Sequence, residues 1–123
     1  MTPAIIVFAH GSRIESANEA VRKVAAEVAR QGGFPHVEAA FLELGKPDLE
    51  GAIVELAAKG VRKFIVIPYF LTLGLHLERD LPRIAAEISN KHNELQVRVA
   101  PPLDGHPALV QVLLARARDQ IHD

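Results

Sequence analysis

Two histidines and a glutamate stand where they could handle a metal ion or accept protons. His10 opens a His-Gly-Ser-Arg segment, Glu43 follows a Phe-Leu pair, and His76 follows a Gly-Leu pair. Neutral imidazole binds borderline divalent metals, and it also changes protonation near physiological pH. The chain has no cysteine, which excludes disulfides and thiolate metal sites. A metal site in this chain would therefore use histidine, aspartate or glutamate.

Each candidate also has a simple structural interpretation. His10 could be a turn residue before a helix, and Glu43 could be a solvated loop carboxylate. His76 lies in a predicted apolar loop, where a solubilising role explains it poorly. Asp80 is interpreted as a helix N-cap, and His106 as a cap before a proline. The joint pattern favours function, because the two histidines and the glutamate follow three different predicted strands.

Four apolar segments predict the strands that would position these residues. Each is followed by a segment with helical apolar spacing, and strands that alternate with helices indicate a parallel sheet with right-handed crossovers. We predict an α/β fold: a single doubly wound domain over residues 1–123, with a four-stranded parallel sheet flanked by helices. The predicted strands span residues 4–9, 36–44, 64–67 and 95–100.

Caps and apolar faces predict where the helices begin. The first helix begins at Ser12 or Ser16, because each precedes a glutamate at capping-box spacing. The second begins near Pro47-Asp48, and the third is capped by Asp80, with a proline in its first turn. The last helix opens at His106-Pro107. Its apolar residues are predicted to face inward: Val110, Leu113, Leu114, Ala117 and Ile121.

The predicted sheet brings the candidates to one edge. In open parallel sheets, ligands bind outside the carboxyl ends of the strands. We expect His10, Glu43 and His76 to lie at this edge, together with the loop at 104–106. The third strand is predicted to be central and buried on both faces, and the second to lie beside the first.

Composition narrows the function classes. The chain is 49% hydrophobic and 24% charged, which is typical of a globular domain. A net charge of −1 and 5% aromatic residues argue against nucleic-acid or membrane-surface binding. No apolar run approaches the roughly 20 residues that span a bilayer, and no signal-peptide pattern is present. We therefore expect a cytoplasmic location.

Three other α/β classes fit the sequence less well. No Gly-rich fingerprint of the Rossmann or P-loop type occurs. Phosphohistidine phosphatases place an arginine before the His-Gly pair, whereas Ala9 occupies that position here. A receiver domain needs an acidic cluster after its first strand, and this chain has none there.

The sequence resembles the small sirohydrochlorin chelatases, the compact class II chelatases that insert a metal into a tetrapyrrole. The resemblance extends over nearly the whole chain. Its most specific part is the region around His76, where the histidine is followed by an Asp-x-Pro sequence, Asp80-Leu81-Pro82. The matching segments are Ala9-His10-Gly11-Ser12-Arg13, Phe41-Leu42-Glu43, Pro68-Tyr69-Phe70-Leu71, Gly74-Leu75-His76, Asp80-Leu81-Pro82, Pro102-Leu103 and Gly105-His106-Pro107.

The resemblance implies a lyase that inserts Co²⁺, or Ni²⁺ or Fe²⁺, into sirohydrochlorin. It implies that His10 and His76 handle the metal and accept pyrrole protons, and that Glu43 is an accompanying catalytic carboxylate. The metal is a substrate, and no permanently bound cofactor is expected. Larger chelatases of this class contain two such domains, so the resemblance implies a homodimer. The physiological metal, and the choice among cobalamin, sirohaem and nickel tetrapyrrole biosynthesis, stay open.

Other points stay open as well. Glu43 could be a metal ligand instead of a proton acceptor. A non-catalytic metal or tetrapyrrole carrier could use the same residues, and an α/β dimerisation module would bind neither metal nor ring. The substrate carries many carboxylates, with which several basic residues could pair. These are Arg13, Lys46, Arg79 and Arg83.

Overall fold

Strands and helices alternate along the chain in a computed structural model that describes residues 2–121. Positions 1, 122 and 123 of the predicted domain lie outside the described residues. The elements are β1 (Ala4–Ala9), α1 (Glu15–Gly32), β2 (Val37–Phe41), α2 (Leu49–Ala58), β3 (Lys63–Pro68), α3 (Leu75–Lys91), β4 (Gln96–Val99) and α4 (Ala108–Asp119).

The four strands form one parallel sheet in the order β2-β1-β3-β4. Val7 of β1 lies opposite Ala39 of β2 on one side and Ile67 of β3 on the other. The predictions that β3 is central and that β2 neighbours β1 are confirmed. Because all strands are parallel, their carboxyl ends meet at one edge. The α/β prediction is also confirmed.

Helices cover both faces of β1, and every one of its residues is buried. On one face, Ile6 and Phe8 join a cluster that includes residues of α2 and α3. On the other face, Val7 and Ala9 pack with Ala25 of α1. This explains why the first apolar run of the sequence has no polar alternation. In the part of the chain that the structure describes, no helix combines the length and apolar character needed to cross a bilayer.

Only one face of β3 is fully covered. Phe64 and Val66 are buried, whereas Ile65 and Ile67 on the opposite face are half-buried. The prediction that β3 is buried on both faces is therefore wrong for one face. That face borders a groove between β3 and α4, and Ile67, Pro102 and Leu109 line this groove.

Helix α4 has no buried residue along Ala108–Asp119. The prediction that its apolar residues face inward is wrong for the single chain. Helical periodicity identifies an apolar stripe but does not say which surface covers it. The exposed fractions are 56% for Val110, 69% for Leu113, 39% for Leu114 and 65% for Ile121, and Ala117 is also exposed.

Two of the predicted helix starts need correction, and one is confirmed. Helix α1 begins at Glu15 without a side-chain cap, so the capping boxes at Ser12 and Ser16 do not form. The Ser12 hydroxyl instead accepts a hydrogen bond from the Ile14 N–H (3.0 Å). Asp48 caps α2 as predicted, and its carboxylate accepts from the Gly51 N–H (2.8 Å).

Helix α3 begins at Leu75, after an N-cap at Gly74, and not at Asp80. Pro82 therefore lies inside the helix, where it removes one hydrogen bond. Apolar packing explains the earlier start, because Leu77 contacts the core and Leu81 is fully buried. His76 consequently lies in the first turn of a helix and not in a loop.

Candidate active site

His10 and Glu43 meet at the carboxyl edge of the sheet. The His10 Nε2 atom lies 3.3 Å from Glu43 Oε1. Backbone bonds produce this approach: the Leu42 N–H donates to the Ala9 carbonyl (2.9 Å), and the Glu43 N–H donates to the His10 carbonyl (3.1 Å). The β1–β2 pairing thus continues beyond the assigned strands. Both side chains are more than half exposed, at 59% and 58%, so the pair is accessible from solvent.

Gly11 permits the close approach of the two loops. Its φ is +97°, in a region that side chains disfavour, and a Cβ there would lie 1.7 Å from the Glu43 carbonyl oxygen. On the other side, Leu44 has a φ of 58°. The backbone after His10 therefore touches the backbone of Glu43 only because residue 11 lacks a side chain.

An aromatic contact joins His10 to the loop after β3. The His10 ring meets Phe70 edge-on, with centroids 6.4 Å apart and planes at 81°. Phe70 in turn packs near Phe8, at 6.3 Å between centroids. The Tyr69 N–H donates to the Phe8 carbonyl (2.7 Å), which fixes this loop on β1. Phe70 is not among the predicted site residues, although it lies in one of the segments that resemble the small sirohydrochlorin chelatases.

His76 lies in the first turn of α3 and is exposed. Within residues 2–121, no group of three or more histidine, cysteine, aspartate or glutamate side chains is arranged to hold a metal ion. The structure therefore brings His10 and Glu43 together, whereas the shared role of His10 and His76 stays a prediction.

His106 has a structural role in the loop between β4 and α4. Its Nδ1 atom accepts a hydrogen bond from the Ala108 N–H (3.0 Å), which agrees with its interpretation as a cap. The same loop is fastened to the loop after β3: the Leu103 N–H donates to the Phe70 carbonyl (3.0 Å), and the Asp104 N–H donates to the Leu71 carbonyl (2.8 Å).

The basic candidates differ in their surroundings. Arg83 contacts carboxylates of its own helix, Glu87 at 2.7 Å and Asp80 at 3.7 Å. Its charge is thus already partnered inside α3. The other three candidates, Arg13, Lys46 and Arg79, are exposed.

Arg22 contacts the end of β2, the loop that follows it and the start of α1. Its guanidinium lies 5.2 Å from the centre of the Phe41 ring and donates to the Lys46 carbonyl (3.2 Å). It also bonds Glu15, and this bond, with a second from Asn18, holds the pKa of the Glu15 carboxyl below its usual value. Glu15 is therefore ionised at neutral pH beside the His10 loop.

Asn18 is a residue that the sequence analysis missed. It is the one buried polar side chain among the described residues, with 1% of its surface exposed. The available signal was its place on a helix face, because Asn18, Val21 and Ala25 follow at helical spacing. The neighbouring apolar residue, Ala17, is exposed instead.

Comparison with known proteins identifies relatives along most of the chain. A family model described as CbiX matches residues 4–120. A sirohydrochlorin cobaltochelatase from Methanococcoides burtonii is 30% identical, and the match covers 94% of each chain. A sirohydrochlorin cobaltochelatase from Methanopyrus kandleri is 38% identical over 81 residues, and there the match spans 66% of this chain but only 57% of that protein.

A solved structure has the same fold. It is that of a CbiX protein from Marinobacter aquaeolei VT8. Its sequence is 27% identical, the two structures superpose with a TM-score of 0.86, and the match covers 97% of both chains. The arrangement of strands and helices in the present chain is therefore that of a CbiX protein.

Proposed function

The chain belongs to the CbiX family, and from this premise we propose that it is a lyase that inserts a divalent metal ion into sirohydrochlorin. Relatives named sirohydrochlorin cobaltochelatase support the reaction and make Co²⁺ the first metal to test. The observation in the structure that carries the proposal is the exposed His10–Glu43 pair at the carboxyl edge of the sheet. Ni²⁺ and Fe²⁺ stay predictions, as do the pathway and the cytoplasmic location.

The charge balance of the reaction assigns a role to each side chain. The ring loses two protons for each divalent ion that it takes up. We propose that His10 and His76 hold the ion as neutral imidazoles, without closing its coordination sphere. As the ion passes to the ring, the Glu43 carboxylate beside His10 accepts one of the two protons as a general base, and an imidazole that has released the ion accepts the other. The metal is a substrate in this scheme, and no resident cofactor takes part.

Exposed apolar side chains around this edge suit a flat macrocycle. Leu42 and Leu44 flank Glu43 and are 38% and 48% exposed. Tyr69 and Leu71 flank Phe70 and are 39% and 66% exposed. A concentration of exposed apolar surface next to polar groups is typical of a binding site. We propose that one face of the ring lies on these side chains.

The carboxylates at the rim of the ring require cationic partners. We propose Arg13, Lys46 and Arg79 for this role, since all three are exposed and Arg83 already contacts Asp80 and Glu87. Charge-assisted bonds to carboxylates would orient the ring without taking part in the proton transfer.

We also propose that two copies of the chain form a homodimer. One small domain provides a single wall, whereas a flat ring must be covered on both faces to exclude water. The exposed apolar residues of α4 and the half-covered face of β3 support this proposal, because a second copy could cover both.

The test is a metal insertion assay. Substoichiometric protein is incubated with sirohydrochlorin and Co²⁺, Ni²⁺ or Fe²⁺, and the absorption change of the ring is followed. We expect multiple turnovers with at least Co²⁺. Saturation at one equivalent per chain would identify a carrier, and an absence of any metal or ring binding would identify a dimerisation module.

A matched pair of variants links the activity to this edge of the sheet. His76→Ala should abolish insertion while the thermal midpoint stays near that of the wild type, because His76 is exposed. His36→Ala removes a histidine just before β2, at the opposite edge, and should retain activity. Near wild-type turnover of a folded His76→Ala protein would remove His76 from the mechanism.

A further inference from the structure

The carboxamide of Asn18 joins the two loops that carry His10 and Glu43. Its Oδ1 atom accepts from the Ser12 N–H (2.9 Å), and its Nδ2 atom donates to the Ser12 carbonyl (2.9 Å). Nδ2 also donates to the Leu44 carbonyl (2.9 Å) and contacts Glu15 Oε2 (3.3 Å). Ser12 lies two residues after His10, and Leu44 lies one residue after Glu43.

The surroundings of Asn18 fit its carboxamide closely. Gly45 faces it, and a Cβ on Gly45 would lie 3.2 Å from Asn18 Nδ2 and 2.9 Å from the Phe41 ring. The Leu44 carbonyl bonds Asn18 although Leu44 adopts a φ of 58°, which is uncommon for a leucine. No buried polar side-chain atom among the described residues lacks a partner. The contacts of Asn18 are thus satisfied only while both loops keep their positions.

We infer that Asn18 is a positioning residue that sets the spacing of His10 and Glu43 by holding their two loops together. This inference rests on the proposed function for its catalytic consequence. A buried polar group that loses its partners is costly, so Asn18 favours the loop arrangement in which Ser12 and Leu44 both reach it. The residue itself touches neither of the two reacting side chains.

Amide hydrogen exchange tests the structural part of this inference. The Glu43 N–H bonds the His10 carbonyl directly across the two loops. In Asn18→Ala, we expect faster exchange at Glu43 and Ser12, while the amides inside the β1–β2 ladder keep their protection. A general loss of protection, or no change at Glu43, would overturn the inference.

Two further variants keep this test decisive. If Asn18→Ala does not fold, Asn18→Ser replaces it, because the shorter hydroxyl side chain keeps a polar group but cannot bridge both loops. The control is Asn93→Asp, an exposed position in the turn after α3. It should leave exchange at Glu43 unchanged.

A double-mutant cycle tests the catalytic part. Asn18→Ala should lower kcat about tenfold, the scale typical of residues that orient metal-site side chains. If Asn18 acts through the His10–Glu43 spacing, the same substitution should cost much less in the Glu43→Gln background. Equal fold-losses in both backgrounds would show a merely structural role and overturn the inference. If the wild type shows no turnover, the proposed function fails, and the exchange experiment still decides the role of Asn18.

Discussion

At the scale of single residues, His10 and Glu43 are brought together by backbone geometry more than by their own side chains. The parallel register of β1 and β2 places Ala9 opposite Phe41, and the next residues continue this pairing. The sequence predicted that β2 lies beside β1, and therefore that Glu43 could lie near His10. It did not predict the 3.3 Å contact, because that distance depends on loop backbone angles.

Glu43→Gln tests whether the negative charge of Glu43 is needed for turnover, because it removes the charge but keeps the size of the side chain. Glutamine keeps the size of the side chain but cannot act as a carboxylate base, so we expect turnover to fall at least about tenfold. Metal affinity, measured by calorimetry, should change less. A loss of metal binding in proportion to the loss of turnover would make Glu43 a direct ligand and would reverse its assignment.

The pairing of His10 with His76 has a kinetic signature. If both histidines handle one ion, either single alanine variant should lose most of the activity, and the double variant should lose little more. The measurement is single-turnover metal insertion by the three variants. Losses that multiply in the double variant would show that the two histidines act separately.

Buried polar residues are hard to find from one sequence. Asn18 has the spacing of the apolar face of α1, but asparagine is a residue type that is mostly exposed in folded proteins. Its burial depends on Ser12 and Leu44, which lie in two loops, one of them distant in sequence. The tertiary contact thus overrides the local pattern.

At the scale of elements, two signals compete at the start of α3: the position of the proline and the packing of apolar residues on the core. A proline after Asp80 favoured a start at Asp80, since a proline fits best in the first turn. The structure extends the helix to Leu75, because Leu77 and Leu81 pack on the core. This burial is a property of the assembled sheet, so the proline signal alone misplaced the helix start and assigned His76 to a loop.

Gly11→Ala tests the contact between the two loops that carry His10 and Glu43. Alanine at this position would place a Cβ 1.7 Å from the Glu43 carbonyl oxygen, so we expect the Glu43 loop to move and turnover to be lost. Gly60→Ala is a matched control, because Gly60 has nearly the same φ, +98°, with nothing within 4 Å. Both variants should lose stability through the disfavoured backbone angle, by about 1 kcal/mol for that strain alone.

The two variants should differ in activity. Thermal melts check the loss of stability that they share, and the insertion assay checks the loss specific to Gly11→Ala. If Gly60→Ala lost turnover equally, general destabilisation would explain the effect. If Gly11→Ala kept full turnover, close contact of the two loops would not be needed for catalysis.

At the scale of the whole molecule, the strand and helix pattern was sufficient to predict the parallel sheet and the edge at which His10 and Glu43 meet. The same pattern failed for α4, whose apolar residues are exposed in the single chain. Ile65 and Ile67 of β3 are also only half-covered. A contact between two copies of the chain would explain both features, because each copy could cover the exposed apolar surface of the other.

The last prediction concerns the proposed homodimer. Sedimentation at micromolar concentration should give twice the chain mass of 13.4 kDa. Leu113→Glu places a charge on α4 at a side chain that is 69% exposed, so it should produce a folded monomer that has lost most of its turnover. Val54→Glu alters an apolar residue of α2 that is 43% exposed and should leave the dimer intact. A wild-type monomer with full turnover would contradict the need for a second copy, because one wall would then suffice to enclose the ring.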